Sequence, residues 1–322
     1  MSKAKKYDKK TPREHVLLRP DTYVGDIEPT EETMWVYQQE DKKIEKREIT
    51  FVPGFLKIFD EILVNSREAC INDKTCNAIK VEYNVEKGFI SVYNNGDDGI
   101  PVEEHPDHKM MVPTMIFGHM LTSSNFDDED NRVTGGRNGY GAKLTNIFST
   151  KFTVEIVDAK RKKKFVQTWT DNMSVVNKES VRKLTAKNIK SYIKLTFYPD
   201  LAKFGLDSMD NDHLSLFQQR TLEIAATTSN VKVHFNNENM TVSNFKKFME
   251  MFYPGETIYH DSSKRWDVGA IYMPDQGNEV ISYVNGISTF KGGAHVNHVV
   301  DGLIKRLIND YIKKKDKTIK VS

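Results

Sequence analysis

The sequence has little of what marks secreted, zinc-binding or membrane-spanning proteins. Its 322 residues include only two cysteines, Cys70 and Cys76. No histidine pair lies beside them, so the sequence indicates neither a zinc site nor a disulfide framework, and we expect two reduced thiols. No apolar run approaches the roughly 20 residues of a transmembrane helix. The basic N-terminus lacks the apolar core of a signal peptide, which predicts a soluble, intracellular protein without a membrane partner.

A strong net charge is also missing. The 47 lysines and arginines nearly balance the 45 aspartates and glutamates, for a net charge of +2. That value is too small to predict nucleic-acid binding by the whole chain. Basic residues are still clustered at 160–164 and 313–317. Such runs are usually solvated, and a DNA-facing role stays open for each.

The chain does contain a glycine-rich stretch, residues 133–144, with the sequence VTGGRNGYGAKL. Glycines stand at 135, 136, 139 and 141, and a helical pattern follows. Glycine lets backbone N–H groups approach a ligand, and a glycine-rich loop that leads into a helix favours phosphate. Arg137 and Lys143 add positive charge. The alternative is a flexible surface loop.

Two widespread phosphate motifs do not fit this stretch. A P-loop needs lysine directly after its second glycine, but Ala142 follows Gly141. A dinucleotide fingerprint that begins at Gly139 needs glycine where Leu144 stands. The stretch therefore predicts a nucleotide site in another fold.

Residues 54–71 form the clearest predicted helix. One face is apolar at three- and four-residue steps and should lie in the core; it carries Phe55, Ile58, Phe59, Ile62 and Leu63. Glu61 and Asn65 are four residues apart and share another face. A carboxylate and an amide placed in this way can position a water and a metal ion. The alternative is an ordinary solvated pair.

A predicted hairpin of strands 79–84 and 89–94 runs into the sequence NNGDDGIP at residues 94–101. An asparagine at a strand end, followed by glycine, suits an amide that reads the edge of a base. The alternative for Asn94 is a simple Asn-Gly turn. A helix at 113–121 then leads into an acidic, hydroxyl-rich segment at 122–130 that has the composition of a mobile lid.

The remaining patterns complete the predicted organisation. Thr11 and Glu14 form a capping box for a short helix, so the residues before it, including Tyr7, form an N-terminal arm. We predict strands at 35–37, 47–52, 151–158, 164–170, 191–198 and 231–235, and helices at 213–226 and 241–252. A second unit follows, with strands at 266–272 and 279–284 and a helix at 296–313.

Taken in order, these signals resemble the ATP site of the GHKL ATPases, a class that includes gyrase, mismatch-repair ATPases, heat-shock chaperones and sensor histidine kinases. Longer strings are similar to the N-terminal ATPase region of eukaryotic type II DNA topoisomerases. They lie at residues 9–11, 17–25, 59–65, 121–125, 134–143, 148–152 and 291–296. The resemblance covers about residues 7–313.

The resemblance implies an α+β fold. A GHKL (Bergerat) ATPase α/β sandwich would be followed by an incomplete transducer domain of ribosomal-protein S5-like type. The implied divisions are an arm and first short helix at 1–25, the ATPase domain at 26–245 and the partial transducer domain at 246–322.

The resemblance also implies roles for single residues. Glu61 would be the general base, Asn65 the Mg²⁺ ligand and Asn94 the residue that binds adenine. Thr196 would lie at the base of the pocket, and Tyr7 would reach the nucleotide of the partner subunit. The other ATP contacts implied are Ser123, Ser124, Asn125, Gly136, Arg137, Asn138, Gly139, Tyr140, Gly141, Ala142 and Lys143.

The same resemblance implies ATP and Mg²⁺ as cofactors, a homodimer through the ATPase gate, and double-stranded DNA as the partner of the full-length enzyme. The implied location is the nucleus, or a eukaryotic cell infected by a virus. Two departures qualify this prediction. The family pattern N-x-G-x-G-I-P is one residue longer here, and neither the family's Gln-Thr-Lys loop nor its DNA-cleavage domain occurs before Ser322. We therefore expect a fragment with at most weak ATPase activity.

Three alternatives stay open. The chain could be a nucleotide-binding, dimerising fragment without significant catalysis. It could also be another GHKL ATPase, of the chaperone or mismatch-repair type, although those classes do not combine the glycine loop with the sequence KGGAH at 291–295. A sensor histidine kinase would need a phosphoacceptor histidine upstream, for which the residues before Tyr7 leave no room.

Overall fold

The computed structural model describes residues 8–122, 139–240, 242, 244–274, 277–289 and 291–315. Its internal contacts divide the chain into two compact units, residues 1–271 and 272–322. The division by function at residue 246 stays a prediction. None of the helices in the described ranges is long and apolar enough to cross a membrane.

The first unit holds six helices and thirteen strands in its described part. The helices are α1 (Pro12–Leu18), α2 (Pro53–Asn72), α3 (Val112–Gly118), α4 (Gly141–Ile147), α5 (Asn211–Thr227) and α6 (Phe245–Phe252). The strands up to the middle of the unit are β1 (Thr30–Gln38), β2 (Lys43–Phe51), β3 (Ala78–Asn84), β4 (Phe89–Asn95), β5 (Ser149–Asp158) and β6 (Lys163–Thr170). The others are β7 (Val175–Val176), β8 (Ser180–Lys183), β9 (Tyr192–Pro199), β10 (Lys232–Phe235), β11 (Glu238–Asn239), β12 (Ile258–Ser262) and β13 (Asp267–Ile271).

A nine-stranded sheet organises this unit, in the order β11-β10-β3-β4-β9-β5-β6-β7, with β8 also paired to β6. β10 runs parallel to β3, while the other neighbours are antiparallel. Along β4 and β9, one face is apolar and buried, with Val92 directly opposite Leu195. Helices α2, α4 and α5 contact sheet strands. The predicted mixed α/β sandwich is therefore confirmed.

The core lies under α2, as its periodicity predicts. All five apolar positions of the predicted face are fully buried. Phe59 stacks on Phe217 of α5, with ring centroids 4.1 Å apart. His213 is also fully buried: its Nε2 accepts a hydrogen bond from the Val52 N–H at 3.0 Å, and its Nδ1 donates to Asp210 at 2.8 Å. Through these two hydrogen bonds, His213 holds Val52, at the start of α2, against the start of α5.

Two short strands flank a tight turn in the second unit, β14 (Tyr283–Val284) and β15 (Ile287–Ser288). The turn residues Asn285 and Gly286 have φ of 52° and 78°, as a two-residue hairpin of this type requires. The predicted strand 279–284 is thus much shorter in the structure. Helix α7 (Ala294–Arg306) continues into a π-helical segment (Leu307–Ile312) and α8 (Lys313–Lys315), in agreement with the predicted helix.

The state of the two cysteines differs from the expectation. After α2 ends, a turn brings Cys76 back to Cys70, with Cα atoms 4.7 Å apart, and the structure joins them in a disulfide. The prediction of two reduced thiols is therefore wrong for this structure. The number and spacing of the cysteines did not predict this disulfide, because the pairing depends on a turn at Asp73 that brings the chain back after α2.

Candidate functional site

One stripe of α2 faces away from the core and is mostly polar at four-residue steps. Lys57, Glu61, Asn65 and Ala69 follow one another along it, and Asp73 continues the step just beyond the helix. Glu61 and Asn65 are both partly exposed. The predicted pairing of a carboxylate and an amide on one face is therefore present, and it forms part of a longer row.

The Glu61 carboxylate lies between a lysine and a glycine. Its Oε1 is 2.5 Å from the Lys57 Nζ. Burial disfavours the charge on Lys57, but attraction and hydrogen bonding to Glu61 outweigh it, and the pKa of Lys57 is raised. A Cβ added to Gly141 would lie 2.1 Å from the Glu61 Oε2. A larger residue at this position would displace the Glu61 carboxylate, so the glycine-rich stretch and the candidate base are brought together as predicted.

Lys143, the predicted phosphate ligand, is buried at the same end of the site. Its Nζ donates a hydrogen bond to the Thr122 carbonyl oxygen at 2.7 Å. Burial lowers the pKa of Lys143 to about 8. Thr122 also contacts Gly139, which has a φ of +66° and where an added Cβ would lie 2.6 Å from the same carbonyl oxygen. The described residues on either side of segment 123–138 therefore meet at this point.

Helix α4 is fixed to the rest of the site by buried hydroxyl and amide groups. The Thr145 hydroxyl donates to the Ile58 carbonyl oxygen of α2 at 2.8 Å. The Asn146 side chain donates to the Phe117 carbonyl oxygen of α3 at 3.2 Å. These bonds set the position of Gly141 against Glu61.

Asn94 occupies the other end of the site. It is 5% exposed at the end of β4, and its side-chain amide donates to the Asn95 carbonyl oxygen at 3.2 Å. A cavity of about 260 Å³ opens beside it. The cavity is lined by Ala69, Asp73, Asn94–Pro101, Ile156–Asp158, Lys160, Arg161 and Ser191–Ile193. Ala69 and Asp73 connect this cavity to the stripe that carries Glu61.

Asp73 organises the turn after Asn94. Its Oδ1 accepts hydrogen bonds from the Thr75 N–H and hydroxyl at 2.8 and 2.6 Å, and its Oδ2 accepts from the Asp98 N–H at 2.7 Å. Burial would raise the pKa of Asp73, but these hydrogen bonds outweigh it and lower the pKa. Gly96 has a φ of +137°, and an added Cβ would lie 2.5 Å from the Asp73 Oδ2. Gly96 is thus the glycine of the tight turn, and the extra residue of this motif falls between it and Gly99.

The basic run 160–164 holds this turn from the opposite side. Lys160 pairs with Asp98 at 2.5 Å. Arg161 donates two hydrogen bonds to Glu103, at 2.8 and 3.0 Å, and pairs with Asp158 at 3.2 Å. These two cations therefore stabilise the loop that borders the cavity. The sequence analysis treated the run only as a solvated or DNA-facing surface and did not predict this role.

Thr196 does not join the site. It lies directly opposite Ser91 in β4 and Thr153 in β5, whereas Asn94 lies opposite Ile193. Because side chains alternate between the faces of a sheet, an odd offset of three places Thr196 on the face opposite Asn94. This register contradicts the prediction that Thr196 lies at the base of the pocket; Ile193 lines the cavity instead.

Of the other predicted ATP contacts, the structure places Gly139, Tyr140, Gly141, Ala142 and Lys143 near the start of α4. Tyr140 packs edge-on against Tyr23. Tyr7, Ser123, Ser124, Asn125, Gly136, Arg137 and Asn138 lie outside the described residues. Sequence reasoning did not single out Lys57 or Asp73, although continuing the four-residue step from Glu61 in both directions would have found them.

Comparisons with known proteins found topoisomerase II relatives and structures. DNA topoisomerase 2 of Drosophila melanogaster is 46% identical over 320 residues, which cover 97% of this chain and 22% of that protein. The ATPase region of Saccharomyces cerevisiae topoisomerase II superposes with a TM-score of 0.92 at 40% identity, covering 97% of this chain and 82% of that structure. The ATPase and transducer domains of Balamuthia mandrillaris DNA topoisomerase II give 0.93 at 40% identity, covering 98% and 81%.

The chain belongs to the topoisomerase II family. The match is to the ATPase region of that family, and the mixed fold is that of its GHKL ATPase domain. The profile of the DNA gyrase B family also matches, over residues 227–322. The chain spans about a fifth of the length of its curated topoisomerase 2 relatives, 22% of the Drosophila protein and 20% of the human 2-alpha protein.

Proposed function

We propose that this chain binds ATP with Mg²⁺ and hydrolyses it, as the N-terminal gate of a type II DNA topoisomerase. One observation carries the proposal: the Glu61 carboxylate lies directly against Gly141, one helical turn from Asn65 and on the stripe that leads to the Asn94 cavity. A topoisomerase II ATPase region is the part of that family which this chain matches.

The residues present fit the proposed ligands. At Gly141 and Gly96 the space that a Cβ would take is occupied by carboxylate oxygens of Glu61 and Asp73, so the two glycines bring both carboxylates directly against the backbone of the loops proposed to bind nucleotide. Within the described ranges, no group of three or more His, Cys, Asp or Glu side chains is placed to hold a metal ion. A magnesium site here would therefore use the Asn65 amide oxygen with oxygens of the substrate, which is how Mg²⁺ is commonly held in nucleotide sites. When bound, Mg²⁺ would neutralise charge on the phosphates.

The chain's own residues would then act on water and phosphate. Lys57 holds one carboxylate oxygen of Glu61, which leaves the other directed at Gly141 and free to accept a proton from water. Lys143 would donate to phosphate in place of the Thr122 carbonyl oxygen that it now contacts. Asn94 would hydrogen-bond the base, and the Asp73 turn would hold the backbone beside it.

The test is Glu61→Gln, with Glu86→Gln as the matched control. Glu86 is exposed on the β3–β4 hairpin, so its loss of charge is the same and its place is far from the stripe. Glu61→Gln should bind ATP at near wild-type affinity and lose turnover by roughly 10²-fold or more, as loss of a general base predicts. Near-normal turnover in Glu61→Gln would reject the base assignment. Tight ATP binding without turnover in the wild-type chain would favour the alternative of a binding fragment without catalysis.

The wider role is also proposed. We infer a homodimer that closes on ATP, with Tyr7 reaching the partner's nucleotide, residues 246–322 acting as transducer, and ATP use coupled to passage of double-stranded DNA in the nucleus. Sedimentation with and without a non-hydrolysable ATP analogue tests the dimer. Association that ignores nucleotide, or that Tyr7→Ala leaves intact, would count against the arm.

A further inference from the structure

The positive charge of the chain is concentrated in one hairpin region of the ATPase unit. Residues 159–191 contain ten lysines and arginines but only two acidic residues, a local charge of +8. Because the whole chain carries +2, the remaining residues carry −6 together. A small net charge therefore conceals a strongly basic surface.

The structure shows which of these cations are already engaged. Lys160 and Arg161 hold the turn beside the Asn94 cavity, Lys163 donates to the Val102 carbonyl oxygen at 3.2 Å, and Lys164 pairs with Glu155 at 2.6 Å. The other six are exposed and make no ion pair with any residue that the structure describes: Lys162, Lys178, Arg182, Lys183, Lys187 and Lys190. We call these six residues the basic edge.

The basic edge surrounds β8, an exposed strand on the rim of the sheet. Arg182 lies directly opposite Lys164 of β6, and Lys183 lies opposite Lys163. Like charges directly opposite one another in a sheet are unfavourable, and of these four cations only Lys164 has a carboxylate partner, Glu155, in the described part of the chain. Successive residues of a strand point to opposite faces, so the cations flank both sides of the rim. Bound anions would relieve this repulsion.

The composition of the edge identifies the kind of anion. Protein-binding surfaces are rich in aromatic anchors and poor in charge, and single-stranded nucleic acid is held by stacking on aromatic rings. Residues 171–191 contain no aromatic side chain at all. A row of five exposed lysines and one exposed arginine without aromatics fits the phosphate backbone of a duplex, which is bound mainly through charge.

We propose that the basic edge is a docking surface for the phosphate backbone of double-stranded DNA. The four residues of β8 extend over roughly 13 Å at about 3.3 Å each. A duplex carries one charge per about 1.7 Å of axis, so about eight phosphate charges lie within that length. This inference rests on the proposed function for the choice of DNA, but not for the existence of the surface.

The test compares two fourfold variants of the whole chain that lose the same charge. One carries Arg182→Gln, Lys183→Gln, Lys187→Gln and Lys190→Gln. The control carries Lys42→Gln, Lys74→Gln, Lys87→Gln and Lys232→Gln, all exposed lysines outside the basic edge. Binding of a labelled duplex of about 30 base pairs is followed by fluorescence anisotropy between about 50 and 200 mM salt.

The basic-edge variant should bind the duplex at least about 10-fold more weakly at low salt, with a salt dependence shallower by roughly 3 to 4, because each phosphate contact contributes about 0.9 to the slope. The control should stay within about twofold of wild type. A third variant, with Lys183→Arg, Lys187→Arg and Lys190→Arg, keeps the positive charge and should keep wild-type affinity, which shows that binding depends on charge.

Equal losses in the two fourfold variants would overturn the proposal, and so would tighter binding to a single strand of the same length or to polyglutamate. ATP affinity, measured on the same samples, should be unchanged in all variants. A wild-type chain that fails to bind ATP but binds duplex through the basic edge would refute the proposed function and leave this inference standing.

Discussion

Replacing Gly141 with alanine should separate catalysis from folding. The added Cβ would lie 2.1 Å from the Glu61 Oε2 and 3.1 Å from its Cδ. Non-bonded heavy atoms settle at about 3.5–4.0 Å, so the carboxylate must withdraw by about 1 Å or more. The main obstruction is the far end of a flexible side chain, so Glu61 rather than the backbone should yield.

The two expected effects differ greatly in size. Moving a side chain off its preferred rotamer costs about 0.5–1.5 kcal/mol. Alanine is favoured over glycine in a helix interior by about 1 kcal/mol, and part of that gain applies at Gly141, the first residue of α4, and offsets part of the cost. The free energy of unfolding should therefore change by less than about 1 kcal/mol. Catalysis is more sensitive, since a misplacement of about 1 Å can lower a rate by about 10²-fold.

Thermal unfolding and steady-state phosphate release on the same protein would measure both effects. Gly302→Ala is the matched control, because Gly302 also lies in a helix and an added Cβ there meets nothing within 4 Å. Turnover should fall by roughly 10- to 100-fold in Gly141→Ala and stay unchanged in the control. A folded Gly141→Ala protein with wild-type turnover would refute the placement of Glu61 against the glycine loop. A variant that fails to fold would contradict the expectation that the Glu61 side chain, rather than the backbone, yields.

Three further predictions concern titration and stability. Burial lowers the pKa of Lys143 to about 8, so ATP affinity should weaken from pH 7 to 9 in the wild type but not in Lys143→Arg, as calorimetry at several pH values would show. The pKa of Asp73 is lowered below its ordinary value of 3.8. The stability that the Asp73 carboxylate contributes is therefore present above pH 3.8 and is lost as the pH falls below that value. Denaturant unfolding at pH 5 and at pH 3 should show a larger loss of stability in the wild type than in Asp73→Asn. His213→Phe should lower the free energy of unfolding by about 1–3 kcal/mol, because the Val52 N–H loses its buried acceptor, and an unchanged urea midpoint would contradict that role.

The sequence was most informative where function and fold depend on local periodicity. The buried face of α2 and the shared face of Glu61 and Asn65 both follow from steps of three and four residues, which a helix fixes without tertiary information. The capping box at Thr11 is confirmed for the same reason, with both of its hydrogen bonds present. The resemblance to the family then linked α2 to Gly141 across eighty residues of sequence.

The errors concern registers and contacts between distant segments. Thr196 has a plausible residue type on a correctly predicted strand, but the pairing of β9 with β4 decides which face it occupies, and no single strand encodes that pairing. Strand β8 went unpredicted because all four of its residues are exposed, so it lacks alternation. The disulfide and the Asp73 turn depend on how the chain folds back after α2, which composition does not reveal.

The stripe on α2 makes the two ends of the site parts of one rigid body. Between Glu61 and Ala69 the helix rises roughly 12 Å, at 1.5 Å per residue, and that distance cannot stretch. The helix therefore sets a minimum length for a ligand. A ligand bound in the cavity beside Ala69 reaches Glu61 only if it spans that distance. A shortened nucleotide would fill the cavity end and leave the Glu61 end untouched, so the length of the phosphate chain could be sensed without any change in the shape of the protein.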